Sequence, residues 1–127
     1  MIRDMELVRA VFLHVESVHE GDSPIIMDLK NSAFDDFDPK VVYGHLDILV
    51  GAGFIKDHHQ RNSLTPIIWG LSWSGHEFLD AVRDPEIWRK TKAAGEKVGG
   101  WTVSLLADYA KGLLKLQFDS LLNGAAS

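Results

Sequence analysis

Among the residues able to do chemistry in this chain of 127, the most suggestive spacing is His76-Glu77 followed by Asp80. It sits in the string LSWSGHEFLDAVRD, residues 71–84. The pattern H-E-x-x-D differs by one residue from the H-E-x-x-H of zinc hydrolases, where two neutral imidazoles one helical turn apart bind the metal and the glutamate serves as base. Here the second position is an aspartate, and Arg83 lies close enough to repel a cation. Zinc takes three or four protein ligands, so a site would also need His58 or His59. Adjacent histidines do not easily turn onto one ion, and we expect no metal. The simpler reading is a hydrogen-bonded or ion-paired ladder of His76, Asp80 and Arg83 at i, i+4 and i+7 of one helix flank. The same three residues are also a candidate partner-recognition patch.

Other catalytic patterns are missing. There is no G-x-x-x-x-G-K-S/T and no G-x-G-x-x-G, so no loop is built to cradle phosphate. Asp35-Asp36 is a carboxylate pair with no base nearby in the sequence. We therefore expect no catalytic residue, no cofactor and no enzymatic activity. The remaining features of the 71–84 string look structural. Ser74 and Glu77 have the S-x-x-E spacing of a capping box, with Ser72 as a competing cap. On either choice Glu77 is expected in the first helical turn, where the dipole favours a carboxylate by ~0.3–1 kcal/mol. Phe78, Leu79 and Val82 form one apolar face with Gly75 beside them, a site for close packing. Trp69 and Trp73 are expected to seal the junction as core residues.

Positioning those residues requires a folded domain, and the composition supplies one. Hydrophobic residues make up 46% and charged residues 24%, with no cysteine, so a disulfide framework and a thiolate zinc site are excluded. A cytoplasmic location fits. The N-terminal pattern is interrupted by Arg3, Asp4, Glu6 and Arg9, unlike a signal peptide, and no apolar run approaches the roughly 20 residues that span a bilayer. Net charge is −5 and uneven: residues 1–80 hold 13 acids and 6 bases, residues 81–127 hold 5 acids and 7 bases. This balance counts against a nucleic-acid binder, which usually shows a basic face.

Periodicity predicts a helix from about Arg3 to Val18, with Met5, Val8, Phe12 and Val15 on its stripe, widened by Leu7, Val11 and Val18. A short strand is expected over Pro24–Met27; Leu29–Phe34 is ambiguous. Asp38 and Pro39 open a second helix that Gly53 closes. Its buried arc collects Val41, Val42, Leu46, Ile48, Leu49 and Ala52, and His45 falls inside that arc as a hydrogen-bonded core histidine. Gly53–Lys56 and Pro66–Leu71 read as strands of a hairpin, with Ile67, Trp69 and Leu71 sharing one face. Asp84-Pro85 starts another helix to about Val98, whose Arg89, Lys90, Lys92 and Lys97 form a solvated or a phosphate-contacting face. A last helix runs from Thr102, its cap, to about Leu122. Its apolar arc is wider than one-sided packing needs, which predicts a homodimer through residues 102–122.

A helix ending in AGFI, then a hairpin, then L-S-x-x-G resembles the outline of a winged helix-turn-helix, many of which end the wing with L-T-x-x-G. That comparison favours Ser72 as the cap. RDMELVR at 3–9, HLDILVGAGFI at 45–55, LSWSGHEFLDAVRD at 71–84 and IWRKTK at 87–92 are similar to a narrower group, the bacterial and prophage proteins of domain-of-unknown-function family 2513. Ser72 stands where that family more often has threonine. The resemblance implies a winged-helix-like fold. With the helices that periodicity predicts, the chain is expected to be α+β, mostly α: a winged-helix core over residues 1–83 carrying a small antiparallel sheet and, beyond a minimal winged helix, a helical extension over 84–127 packed on it as one unit. The resemblance also implies a prophage-linked context and carries no established activity. Two functions follow. As a regulator binding double-stranded DNA, the chain would place Lys40, Tyr43 and Gly44 nearest the bases and Lys56, His58, His59 and Arg61 on phosphate. Alternatively it is a dimeric protein-interaction module that keeps the fold without DNA binding. A positive stripe on the second helix and wing would favour DNA; an acidic or apolar one favours protein.

Overall fold

The computed structural model describes residues 2–57 and 65–126. The fold is α+β and mostly α, with five helices and one three-stranded antiparallel sheet among the described residues. The chain divides into two compact units, residues 1–76 and 77–127.

In the first unit, α1 (Met5–Val18) begins two residues later than its periodicity suggests, because the Asp4 carboxylate accepts the N–H groups of Glu6 and Leu7 and fixes the start there. Leu7, Val8, Val11, Phe12 and Val15 are buried, while Met5 is half-buried and Val18 is exposed at the helix end. After β1 (Ile25–Ile26), the ambiguous stretch settles as a single 3-10 turn at Ser32–Phe34, with Asn31 capping Ala33 and Phe34 in the core. Helix α2 (Pro39–Gly51) starts as expected, with Asp38 accepting the Lys40 N–H and Pro39 in the first turn. It ends in a Schellman arrangement: Phe54 N–H reaches Leu49 O, Gly53 N–H reaches Val50 O, and Gly53 takes the φ of 84° that the motif needs. Val42, His45, Leu46 and Leu49 are the buried residues of α2; Val41 and Ile48 are half-buried and Ala52 is exposed, so the arc is narrower than predicted.

The sheet has the order β1-β3-β2, with β2 at Ile55–Asp57 and β3 at Ile67–Leu71. Lys56 pairs with Gly70 and Asp57 with Ile68, so Trp69 is an extra residue in β3. That bulge overturns the expected alternation. Ile68 and Leu71 both turn inward, and Trp69 turns out. Phe12 meets Phe54 edge-on at 6.1 Å beneath the sheet.

Helix α3 (Trp73–Val82) leaves β3 through Ser72 and crosses from the first unit's residues to the second's. The second unit contains α4 (Pro85–Val98) and α5 (Val103–Ala126). Asp84 caps α4 through Glu86 and Ile87 N–H, and Thr102 caps α5 through Leu105 N–H. The two helices pack on each other, joined by the short Gly99–Thr102 connection of a helical hairpin. Their inward residues are Ile87, Trp88, Thr91 and Gly95 on α4, and Val103, Leu106, Ala107 and Ala110 on α5. Thr91 is fully buried, and its hydroxyl is satisfied by Ile87 O at 2.7 Å. Helix α5 runs past the expected Leu122 to Ala126. At 24 residues against 14 it is ~36 Å long beside an ~21 Å partner, so its last turns extend beyond α4.

Candidate functional surfaces

The residues from 71 to 84 divide between fastening and display. Ser72 is the cap of α3: its hydroxyl accepts the Gly75 N–H at 3.1 Å and donates to Gly53 O across the β2–β3 hairpin. The Ser74–Glu77 capping box does not form, because Ser72 places Glu77 beyond the first turn, where no acid stands. Gly75 lies against the Phe54 carbonyl so closely that a Cβ there would overlap the oxygen. Phe78, Leu79 and Val82 are all buried. The two tryptophans are a correction. Trp73, at 79% exposure, projects from the start of α3, and Trp69 is pushed outward by the bulge.

Of the flank ladder, the structure joins two members. Arg83 donates to Asp80 at 3.0 Å, both exposed. The half-buried His76 ring has no hydrogen-bond partner among the described residues; its backbone N–H goes to Ser72 O. His58, His59 and Arg61 lie outside the described residues. Among the described residues, no three His, Asp or Glu side chains come together as a metal-ligand set.

Lys40 and Lys56 are exposed, and Tyr43 and Gly44 are half-buried on α2. Around them the charge is acidic: Asp35, Asp36, Asp38 and Asp47 are all exposed on or just before α2. Residues 1–76 hold eleven carboxylates against six basic side chains. The cations of α4 are partly engaged, since Arg89 and Lys90 both pair with Glu86, and Lys92 stands 6.0 Å from the Trp88 ring. The hydrogen bond from Arg89 holds the Glu86 carboxyl below its usual range and raises Arg89 in turn.

Two grooves flank β1. One, of about 340 Å³, is polar and includes His14, Glu20, Asp28 and Asn31. Burial lowers the His14 pKa, partly offset by the Asp28 charge, and the ring meets Phe34 edge-on at 5.1 Å. The other, of about 600 Å³, is floored by Ile26, Met27, Leu29, Pro39 and Tyr43, with Lys30 and Lys40 among its walls. Sequence reasoning found Lys40 and Tyr43 but assigned them to DNA; the groove itself depends on the fold bringing residues 26–30 near residues 39–43, which no local pattern announces.

Together these features define a small, mostly helical α+β module with an acidic first unit, an apolar groove and a long C-terminal helix. The chain belongs to the family described as Hypothetical protein (DUF2513), which it matches over residues 2–101. It is similar to an uncharacterised protein of Haemophilus influenzae, at 33% identity over 94 residues that cover 72% of this chain and 76% of that protein. No solved structure matches the chain. Among the described residues, no helix is long and apolar enough to cross a membrane.

Proposed function

We propose that the chain is a dimeric protein-interaction module without enzymatic activity, built on a winged helix-turn-helix plan, with α5 as the pairing helix. The observation that carries this reading is the surface of α5. Leu105, Tyr109, Leu116, Phe118, Leu121 and Leu122 are all exposed on one helix, a concentration of large apolar side chains that monomeric proteins rarely leave in water. The acidic and apolar surroundings of α2 support protein rather than phosphate as the partner of the first unit. Light scattering across a dilution series tests it. A mass near twice 14.2 kDa is expected, and a concentration-independent monomer would end the reading.

A second reading is favoured by the order of elements. Helix, strand, short turn, helix, then hairpin, with sheet order β1-β3-β2, resembles the winged-helix plan, in which α2 would enter the major groove. On this reading Lys40, Tyr43 and Gly44 face bases, Lys56 faces phosphate, and the protein works in the cytoplasm of a prophage-bearing bacterium. A shift assay with random duplex DNA decides it: retention at ~50 mM salt that fades steeply with added salt supports DNA binding, and none at ~50 mM removes it.

A further inference from the structure

We propose that the groove between β1 and the start of α2 is a binding site for a small amphipathic carboxylate, one anionic head on an apolar chain or ring. At about 600 Å³ the groove lies in the range of small-molecule sites and is far larger than a packing defect. Its floor is apolar, and Ile26 on that floor is left 68% exposed. Water gains little from wetting such a surface, so an apolar body of matching size is favoured there.

Three of the polar groups on the groove, Lys30, Lys40 and Tyr43, are donors. Among the described residues, the ammonium groups of Lys30 and Lys40 have no carboxylate partner, and the Tyr43 hydroxyl has no hydrogen-bond partner. Two cations and a phenol beside an apolar floor complement a single anionic head: the lysines supply charge and Tyr43 a directed hydrogen bond. The acid on the lining is Asp28, which is already occupied with the Lys30 backbone N–H at 3.0 Å and lies beside the His14 groove as well. Its charge repels the head from the β1 end and leaves the α2 end, at Lys40 and Tyr43, as the place for the carboxylate. Lysines rather than arginines suit one small head, since each acts as a point charge and neither demands a bidentate partner. Nucleic acid fits the groove poorly, because stacked bases and repeated phosphates have no use for an apolar floor with only two cations beside it. The site stands independently of dimer formation, whereas DNA contact through Lys40 and Tyr43 would use the same side chains.

The test uses the intact chain, labelled with nitrogen-15, titrated with 4-phenylbutyrate and in parallel with the uncharged 4-phenylbutanol. Saturable shifts confined to residues 26–30 and 39–43 are expected, with the carboxylate bound about tenfold more tightly than the alcohol. The double variant Lys30→Met, Lys40→Met should bring the two ligands to equal affinity while leaving the alcohol's affinity and the melting temperature unchanged. Equal binding of acid and alcohol by the unmodified chain overturns the proposal. So do shifts centred on α5, or the lack of saturation by about 10 mM carboxylate.

Discussion

His45 shows how one side chain can join two distant segments. It is buried on α2, and its Nδ1 stands 2.9 Å from Val41 O while its Nε2 stands 2.8 Å from the Asp4 backbone N. A carbonyl only accepts and an amide N–H only donates, so the ring must carry its hydrogen on Nδ1 and be neutral. The acceptor at Nε2 satisfies the amide of the very residue that caps α1. Replacing His45 with leucine keeps the volume close but strands that N–H, and should cost about 2–4 kcal/mol of unfolding free energy. Urea denaturation measures this, and a loss below ~0.5 kcal/mol would mean the bond contributes nothing. His14 acts through pH instead. Burial lowers its pKa, so the unfolded chain takes up a proton before the folded one does. Its contribution is therefore complete at high pH and declines as pH falls below the ordinary histidine value of 6.5, levelling off once the folded ring also protonates. Melting curves from pH 8 to 5 should show a shallower decline for His14→Gln than for the unmodified chain.

At the scale of elements, the passage from β3 into α3 depends on Ser72 and Gly75 together. The hydroxyl of Ser72 bonds both ways, to Gly53 O and from Gly75 N–H, and Gly75 then lies on the Phe54 carbonyl. Gly75→Ala should destabilise the fold by about 3 kcal/mol, since its methyl meets backbone that cannot rotate away. Ser72→Ala should cost about 1 kcal/mol, and Ser72→Thr much less because the hydroxyl remains. Thermal or chemical melts rank the three, and a ranking with Ser72→Ala worst would contradict this geometry. This junction also marks where sequence reasoning reached its limit. The Asp38-Pro39 and Asp84-Pro85 starts and the Gly53 exit were legible, because caps act over three or four residues. The choice of Ser72 over Ser74 was not fixed by local spacing, since its second bond reaches back 19 residues to Gly53. The outward facing of Trp69 escapes the alternation for a related reason: a bulge shifts alternation without altering residue types. The residue type of Trp73 points to the core, yet hydrophobicity does not forbid exposure. The apolar groove was invisible because Ile26 and Tyr43 share it only after folding.

For the molecule as a whole, the decisive contrast runs along α5. One face of its first turns is committed inward, with Val103, Leu106, Ala107 and Ala110 buried. Further along, the same kinds of side chain stand in solvent, with Leu116 at 65% and Leu121 at 74% exposure. If α5 pairs with a second copy, a charge should have opposite consequences at the two ends. Leu106→Glu places an unpaired carboxylate where nothing can solvate it, and should abolish the fold of the second unit at any concentration. Leu116→Glu with Leu121→Glu leaves each subunit's interior untouched and opposes pairing alone. That variant should scatter light as a 14.2 kDa monomer, keep its helical circular dichroism, and lose the rise of melting temperature with protein concentration that a dimer must show. A monomeric unmodified chain whose melting temperature ignores concentration would instead mean that the exposed leucines of α5 await a different protein. The shared surface would then have to be sought by binding to that protein rather than to itself.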